Sequence, residues 1–161
     1  QQHEGKVMFR LDLNDLVLDE VQTEHYFTFM LLIADLQSGH IALSQAGHPH
    51  PIVQRADGQI EQEGTGGFPV GLMWGSDFDQ YEITLDPGDR LIVVSDGVTE
   101  CPAPAGTMLE EEGTARIVRA LVSSEGPAFL DGMIDQLTTY ARGSDFPDDI
   151  SAILFEYIGP S

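Results

Sequence analysis

Leu91-Ile92-Val93-Val94-Ser95-Asp96-Gly97-Val98-Thr99-Glu100 is the stretch whose reading decides the fold. Its four leading apolar residues, three of them β-branched, read as a buried strand too short to be a helix. Ser95-Asp96-Gly97 then has the composition of a tight turn. A carboxylate at the end of a buried strand is held rigidly and can still face a cleft. Far along the chain, Phe146-Pro147-Asp148-Asp149 precedes Ile150-Ser151-Ala152-Ile153-Leu154-Phe155-Glu156-Tyr157, a second strand-like run. If the two strands lie antiparallel, the end of the first and the start of the second share one edge of the sheet. Asp96 and Asp148/Asp149 then converge, and convergent carboxylates on strand ends suit hard oxygen-seeking cations such as Mg²⁺ or Mn²⁺.

Working outward, Tyr26 to Leu36 is aromatic and aliphatic and reads as a buried strand. Asp35 to Gly39 is its turn, and His40 to Gln45 is the returning partner. Ile52 to Arg55 and Ile60 to Gln62 flank Ala56-Asp57-Gly58-Gln59 as another hairpin, and Glu63 to Gly71 is a glycine-rich loop. Phe78 to Leu85 alternates as a strand and enters the Pro87-Gly88 turn. Upstream, Lys6 to Val21 lacks Gly and Pro and reads as a helix. Downstream, Thr107 stands three residues before Glu110, a capping-box spacing, with Ala115, Ile117, Val118, Leu121 and Val122 as the stripe behind it. A second helix starts at Pro127, carries Phe129, Leu130, Met133, Ile134, Leu137 and Tyr140 at helical spacing, has Arg142 in its last turn, and stops at Gly143. Strands first, two helices, then a returning strand make an α+β pattern with helices on one face of a largely antiparallel sheet.

At 161 residues, one domain spanning 1–161 is the default. A hydrophobic fraction of 42% with 21% charged residues excludes a disordered chain. No apolar run approaches the ~18 residues of a membrane span. Single Cys101 excludes an internal disulfide, which fits a cytoplasmic setting, and it reads as a small buried hydrophobe. Seven Lys+Arg against 27 Asp+Glu give a net charge of −20, which excludes nucleic acid as a favoured partner. The same field repels a phosphorylated substrate unless divalent cations mask it locally.

Four segments in order carry a family resemblance. Gln45-Ala46-Gly47-His48-Pro49-His50-Pro51, Gly67-Phe68-Pro69-Val70-Gly71-Leu72, Pro87-Gly88-Asp89-Arg90-Leu91 leading into Ser95-Asp96-Gly97-Val98-Thr99-Glu100, and Asp148-Asp149-Ile150-Ser151 resemble the bacterial PP2C-type serine/threonine phosphatases, in the branch typified by SpoIIE and RsbU. The resemblance implies a PP2C-like antiparallel β-sandwich flanked by helices. It implies two Mn²⁺ or Mg²⁺ ions activating a water for attack on phosphorus. Asp96 and Asp148 match its metal-ligand positions; Asp149 stands beside them in a supporting position, and Gly97 lets the backbone pass close to the metals. The implied substrate is a phosphoserine on a regulatory protein of the anti-anti-sigma type, and the implied neighbour is an upstream receiver or sensor domain. The family's first motif, a Gly-Asp supplying the carboxylate that bridges the metals, has no counterpart before Gly88-Asp89. The expectations are therefore a domain short of its first strands, a poor phosphatase when residues 1–161 act alone, and self-association through an unprotected sheet edge. The alternative is a phosphatase-like adaptor, such as the output domain of an RssB-type response regulator, that binds a sigma factor or its regulator without catalysis.

Other constellations are weaker. His48-Pro49-His50 has zinc-ligand spacing, yet no cysteine or third histidine completes it, and a proline-fixed turn accounts for it better. Gly64-Thr65-Gly66-Gly67 lacks a following Gly-Lys-Ser/Thr and reads as a loop. Ser95 with His48 and an Asp lacks the Gly-x-Ser-x-Gly elbow of serine hydrolases. Trp74 reads equally as a packing residue or an exposed loop aromatic.

Overall fold

The computed structural model describes residues 14–19, 26–143, 145–146 and 148–160. Among the described residues, seven strands and four helical segments follow one another: a short helix at residues 14–19 (α1), β1 Phe29–Asp35, β2 His40–Ala46, β3 Ile52–Gln54, β4 Ile60–Gln62, β5 Gln80–Thr84, β6 Arg90–Val94, α2 Asp96–Thr99, α3 Glu110–Ala120, α4 Pro127–Ala141 and β7 Ala152–Glu156. The remainder of the helix expected over Lys6 to Val21 lies outside the described residues.

The strands form two antiparallel sheets, one ordered β1-β2-β5 and the other β4-β3-β6-β7. Strand periodicity explains why both faces of β6 are apolar. Leu91 joins Ile41, Leu43, Ile83 and Val53 in the core between the sheets. Ile92 and Val94 point the other way, into a second core with Val118, Phe129, Met133 and Leu137 of the helices. The layers run sheet, sheet, helices, with β6 buried from both sides.

A buried ion pair ties the layers near the entrance to β6. Asp89, 3% exposed, accepts from Arg55 Nη1 at 2.9 Å and from the Asp86 and Ala56 amides at 3.0 and 2.8 Å. Arg55 also donates to the Thr84 carbonyl at 2.8 Å and to Glu61 at 2.7 Å, so one guanidinium links β3, β4 and β5. The Gly88-Asp89 pair is thereby occupied structurally.

Four local expectations need correction. The strand beginning near Tyr26 is an edge strand rather than a buried one: Leu31 and Ile33 are 40% and 52% exposed, because no layer covers that face of β1 among the described residues. An uncovered edge of this kind is where the expected self-association would be built. Ser95-Asp96-Gly97 opens a single helical turn instead of a tight turn, with Val98 N–H donating to Ser95 O at 3.1 Å and Glu100 N–H to Asp96 O at 2.8 Å. Thr107 does not cap α3. The residue before the helix is Leu109, whose amide is already bonded to the Cys101 carbonyl at 2.9 Å, while Thr107 sits in the arm bridged through Pro102 and Met108. Finally, Arg142 falls just past α4 in a left-handed conformation, φ 49°, instead of in its last turn. Cys101 is fully buried, and burial pushes its thiol pKa up, as expected of an inert core residue.

Candidate active site

β6 and β7 run antiparallel with Val94 opposite Ala152, so the end of one and the start of the other occupy a single sheet edge. Ser95 staples that edge. Its amide donates to Ser151 O at 2.9 Å, its hydroxyl donates to Asp149 O at 3.1 Å, and the same oxygen accepts from the Ser151 amide at 2.9 Å. A hydroxyl committed in this way is not a free nucleophile. Gly97 is buried against the opposing segment: a side chain there would collide with the Asp149 carbonyl oxygen and approach the Asp148 carbonyl at 3.4 Å. Asp96 and the Asp148-Asp149 pair are thus neighbours in space, 52 residues apart in sequence.

That contact makes a direct prediction. Gly97→Ala should lower unfolding free energy by about 1–3 kcal/mol, because the methyl group must displace backbone rather than a flexible side chain. The urea midpoint measures it, and a wild-type midpoint would show that the segments do not touch.

Asp96 is half-buried and its Oδ1 accepts from the Gly97 amide at 3.1 Å; Asp148 is exposed and its Oδ1 accepts from the Asp149 amide at 2.7 Å. None of Asp96, Glu100, Asp148 and Asp149 pairs with Lys or Arg among the described residues. Among the same residues, no group of three His, Cys, Asp or Glu side chains is placed to hold a cation together. The oxygen donors that stand at this edge are the Asp96 and Asp148 carboxylates and the Gly97 backbone.

Asp96 faces an open cleft of ≈ 440 Å³, whose lining also includes Thr99, Glu100, His48, His50, Gly66 and Glu111. Gln45, 2% exposed, shapes this wall. Its Oε1 accepts from Gly66 N–H and from Tyr81 O–H, both at 3.1 Å. Burial, aided by the charge of Glu63, pushes the Tyr81 pKa up to about 12, so that hydroxyl stays a donor. The glycine-rich loop is thereby fixed to β2 and forms one side of the cleft.

The opposite contact could not be anticipated from spacing. Glu111 in the first turn of α3 accepts from both the backbone amide and the Nδ1 of His50, at 3.0 and 2.6 Å. Burial alone would raise the Glu111 pKa; the two bonds from His50 and its charge outweigh burial and lower it. The capping-box spacing singles out Glu110 at this helix start and says nothing of Glu111. Only the burial and partner of Glu111 single it out.

Residues 8–158 match the family described as Stage II sporulation protein E (SpoIIE). Protein IcfG of Synechocystis sp. is 28% identical over 145 residues, covering 86% of this chain and 22% of that protein. Phosphoserine phosphatase RsbU of Bacillus subtilis is 24% identical over 127 residues, covering 78% of this chain and 38% of that one. The chain thus spans less than half the length of these two curated relatives. The phosphatase domain of the cell fate determinant SpoIIE from Bacillus subtilis, from crystals presoaked with Mn, superposes with a TM-score of 0.74 at 20% identity, covering 100% of this chain and 69% of that one.

Proposed function

The chain belongs to the SpoIIE family of PP2C-type phosphatase domains, and from that premise we propose that it hydrolyses phosphoserine on a regulatory protein with the help of Mn²⁺ or Mg²⁺. The observation that carries this reading is the stapled edge, where Gly97 packs on the Asp148-Asp149 backbone and brings Asp96 to the acidic pair. Asp96 and Asp148 are the assigned ligands, Asp149 orients Asp148 through its amide, and the Gly97 backbone borders the ions. When bound, the cations supply a water of lowered pKa and screen the negative charge of the phosphate. The chain's own residues contribute a rigid mount. Ser95 holds the two segments together, and the cleft beside Asp96 admits a phosphorylated side chain.

The relative named phosphoserine phosphatase supports the substrate class, and the family resemblance supports a protein of the anti-anti-sigma type as bearer of that phosphoserine. Cytoplasmic action downstream of a receiver or sensor domain completes the proposal. No helix among the described residues is long and apolar enough to cross a membrane.

The test is release of inorganic phosphate from a phosphoserine peptide by the intact natural protein. Turnover should require added Mn²⁺ or Mg²⁺, vanish with excess EDTA, and return on metal readdition. Turnover indifferent to EDTA would refute the metal assignment, and none with either metal would refute the phosphatase reading. Residues 1–161 alone should bind Mn²⁺ weakly, since two carboxylates must hold cations that repel each other.

A further inference from the structure

We propose that Gln45 is a positioning residue for substrate binding: from behind the cleft it joins two segments of the cleft wall and so sets how tightly a phosphoserine segment is held. The inference rests on the phosphatase reading above and deepens it. Two stretches of chain supply much of the cleft's lining, the turn Gly47-His48-Pro49-His50 and the loop at Gly66, Gly67 and Pro69. One side-chain amide connects them. Gln45 Nε2 donates to the His48 carbonyl of the turn, while Oε1 accepts from the Gly66 amide of the loop and from the Tyr81 hydroxyl of β5, both at 3.1 Å.

The amide has one workable orientation. Reversed, its NH₂ would meet the Gly66 N–H and its oxygen would meet the His48 carbonyl, donor against donor and acceptor against acceptor. At 2% exposure, water cannot replace a bond that is lost, so each of the three groups depends on Gln45. The loop is shaped to this contact. Gly64 sits at φ 112°, and a side chain there would run into the Tyr81 hydroxyl and Gln45 Oε1.

The acidic edge is held separately, by the hydrogen bonds of Ser95 between β6 and β7. Wall and edge therefore have independent supports. Releasing the wall loosens the hold on a substrate segment and leaves Asp96 and Asp148 where they were. Binding and chemistry come apart, which a general loss of structure would not achieve.

Steady-state kinetics of the intact protein on a phosphoserine peptide with Mn²⁺ test this. Gln45→Leu should raise KM about tenfold, with kcat and the Mn²⁺ concentration for half-maximal rate each within about threefold of wild type. Partial unfolding reads differently, because it lowers kcat and leaves the KM of the folded remainder unchanged. Tyr81→Phe keeps the ring and removes one hydrogen bond, so KM should rise about two- to threefold. That variant decides the matter if Gln45→Leu does not fold, and a wild-type KM in it would then overturn the proposal. Gly64→Ala changes no polar group and disturbs the contact from the loop side; it should raise KM as well. An unchanged KM in folded Gln45→Leu, or a loss confined to kcat, would overturn the proposal and leave the phosphatase reading intact. Hydrogen exchange gives a readout independent of turnover. The Gly66 amide should exchange at least about tenfold more slowly than those of Thr65 and Gly67, and Gln45→Leu should abolish the difference. Exchange at Gly66 as fast as at its neighbours would remove the anchor. A wild-type protein inert toward the peptide with either Mn²⁺ or Mg²⁺ would take down the phosphatase reading and this inference together.

Discussion

Asp96→Asn is expected to lower Mn²⁺-dependent turnover of a phosphoserine peptide by on the order of 10³-fold, the scale of losing several kcal/mol of metal-derived stabilisation. The substitution is nearly isosteric. Its side-chain oxygen can still accept from the Gly97 amide, the one hydrogen bond that Asp96 Oδ1 makes across 3.1 Å. Ser95, which staples β6 to β7, is untouched. Stability should therefore stay within about 0.5 kcal/mol of wild type, so that lost turnover reports on chemistry and not on folding. What disappears is one formal negative charge facing the cleft. Raising Mn²⁺ concentration should recover part of the rate, because on the proposed assignment the deficit lies in cation affinity. Asp148→Asn should behave alike, since Asp148 belongs to the same edge. Full activity in the Asp96 variant would exclude it as a ligand and leave Asp148-Asp149 without a partner.

The second large effect is on stability. Asp89→Ala should lower the unfolding free energy by about 2–4 kcal/mol, because it removes a buried acceptor from Arg55, which keeps only Glu61 and the Thr84 carbonyl. Two backbone amides, those of Ala56 and Asp86, lose their acceptor at the same time. Chemical denaturation at neutral pH measures the difference. The acid limb of the stability profile gives an independent check. Burial alone would push the Asp89 carboxyl up; donation from Arg55 and from the two amides outweighs burial, and the net pKa lies below the usual value. The unfolded chain binds this proton first as pH falls. Asp89 therefore stabilises the fold fully above the unfolded value of about 3.9, and the contribution fades as pH drops toward the lower folded value. Asp89→Asn should flatten that part of the profile. An unchanged acid limb would show that the pair contributes nothing to folding.

Much of this architecture was legible along the chain because it is local. β6 announces itself by four consecutive apolar residues, and such a run at strand length is buried on both faces. The β3–β4 hairpin follows from Ala56-Asp57-Gly58-Gln59, and α4 from Pro127 at its start together with Phe129, Met133 and Leu137 on its buried face. The errors share one cause. Thr107 has the spacing of a cap, but the hydrogen bond from the Leu109 amide to the Cys101 carbonyl holds the helix start past it. Tyr26 to Leu36 is as apolar as a core strand, yet burial depends on whether another layer arrives, and hydrophobicity alone does not say so.

The candidate site divides along the same line. Sequence by itself placed the end of β6 beside the start of β7, because antiparallel pairing makes the two coincide whatever lies between them. It could not reach the Glu111–His50 pair, 61 residues apart, nor the use of Gly88-Asp89 as a buried anchor for Arg55. Both depend on how α3 settles beside the β2–β3 connection and how a hairpin turn meets the start of β6. Such contacts carry no period or spacing, since they arise from packing between elements, and only the folded chain decides them.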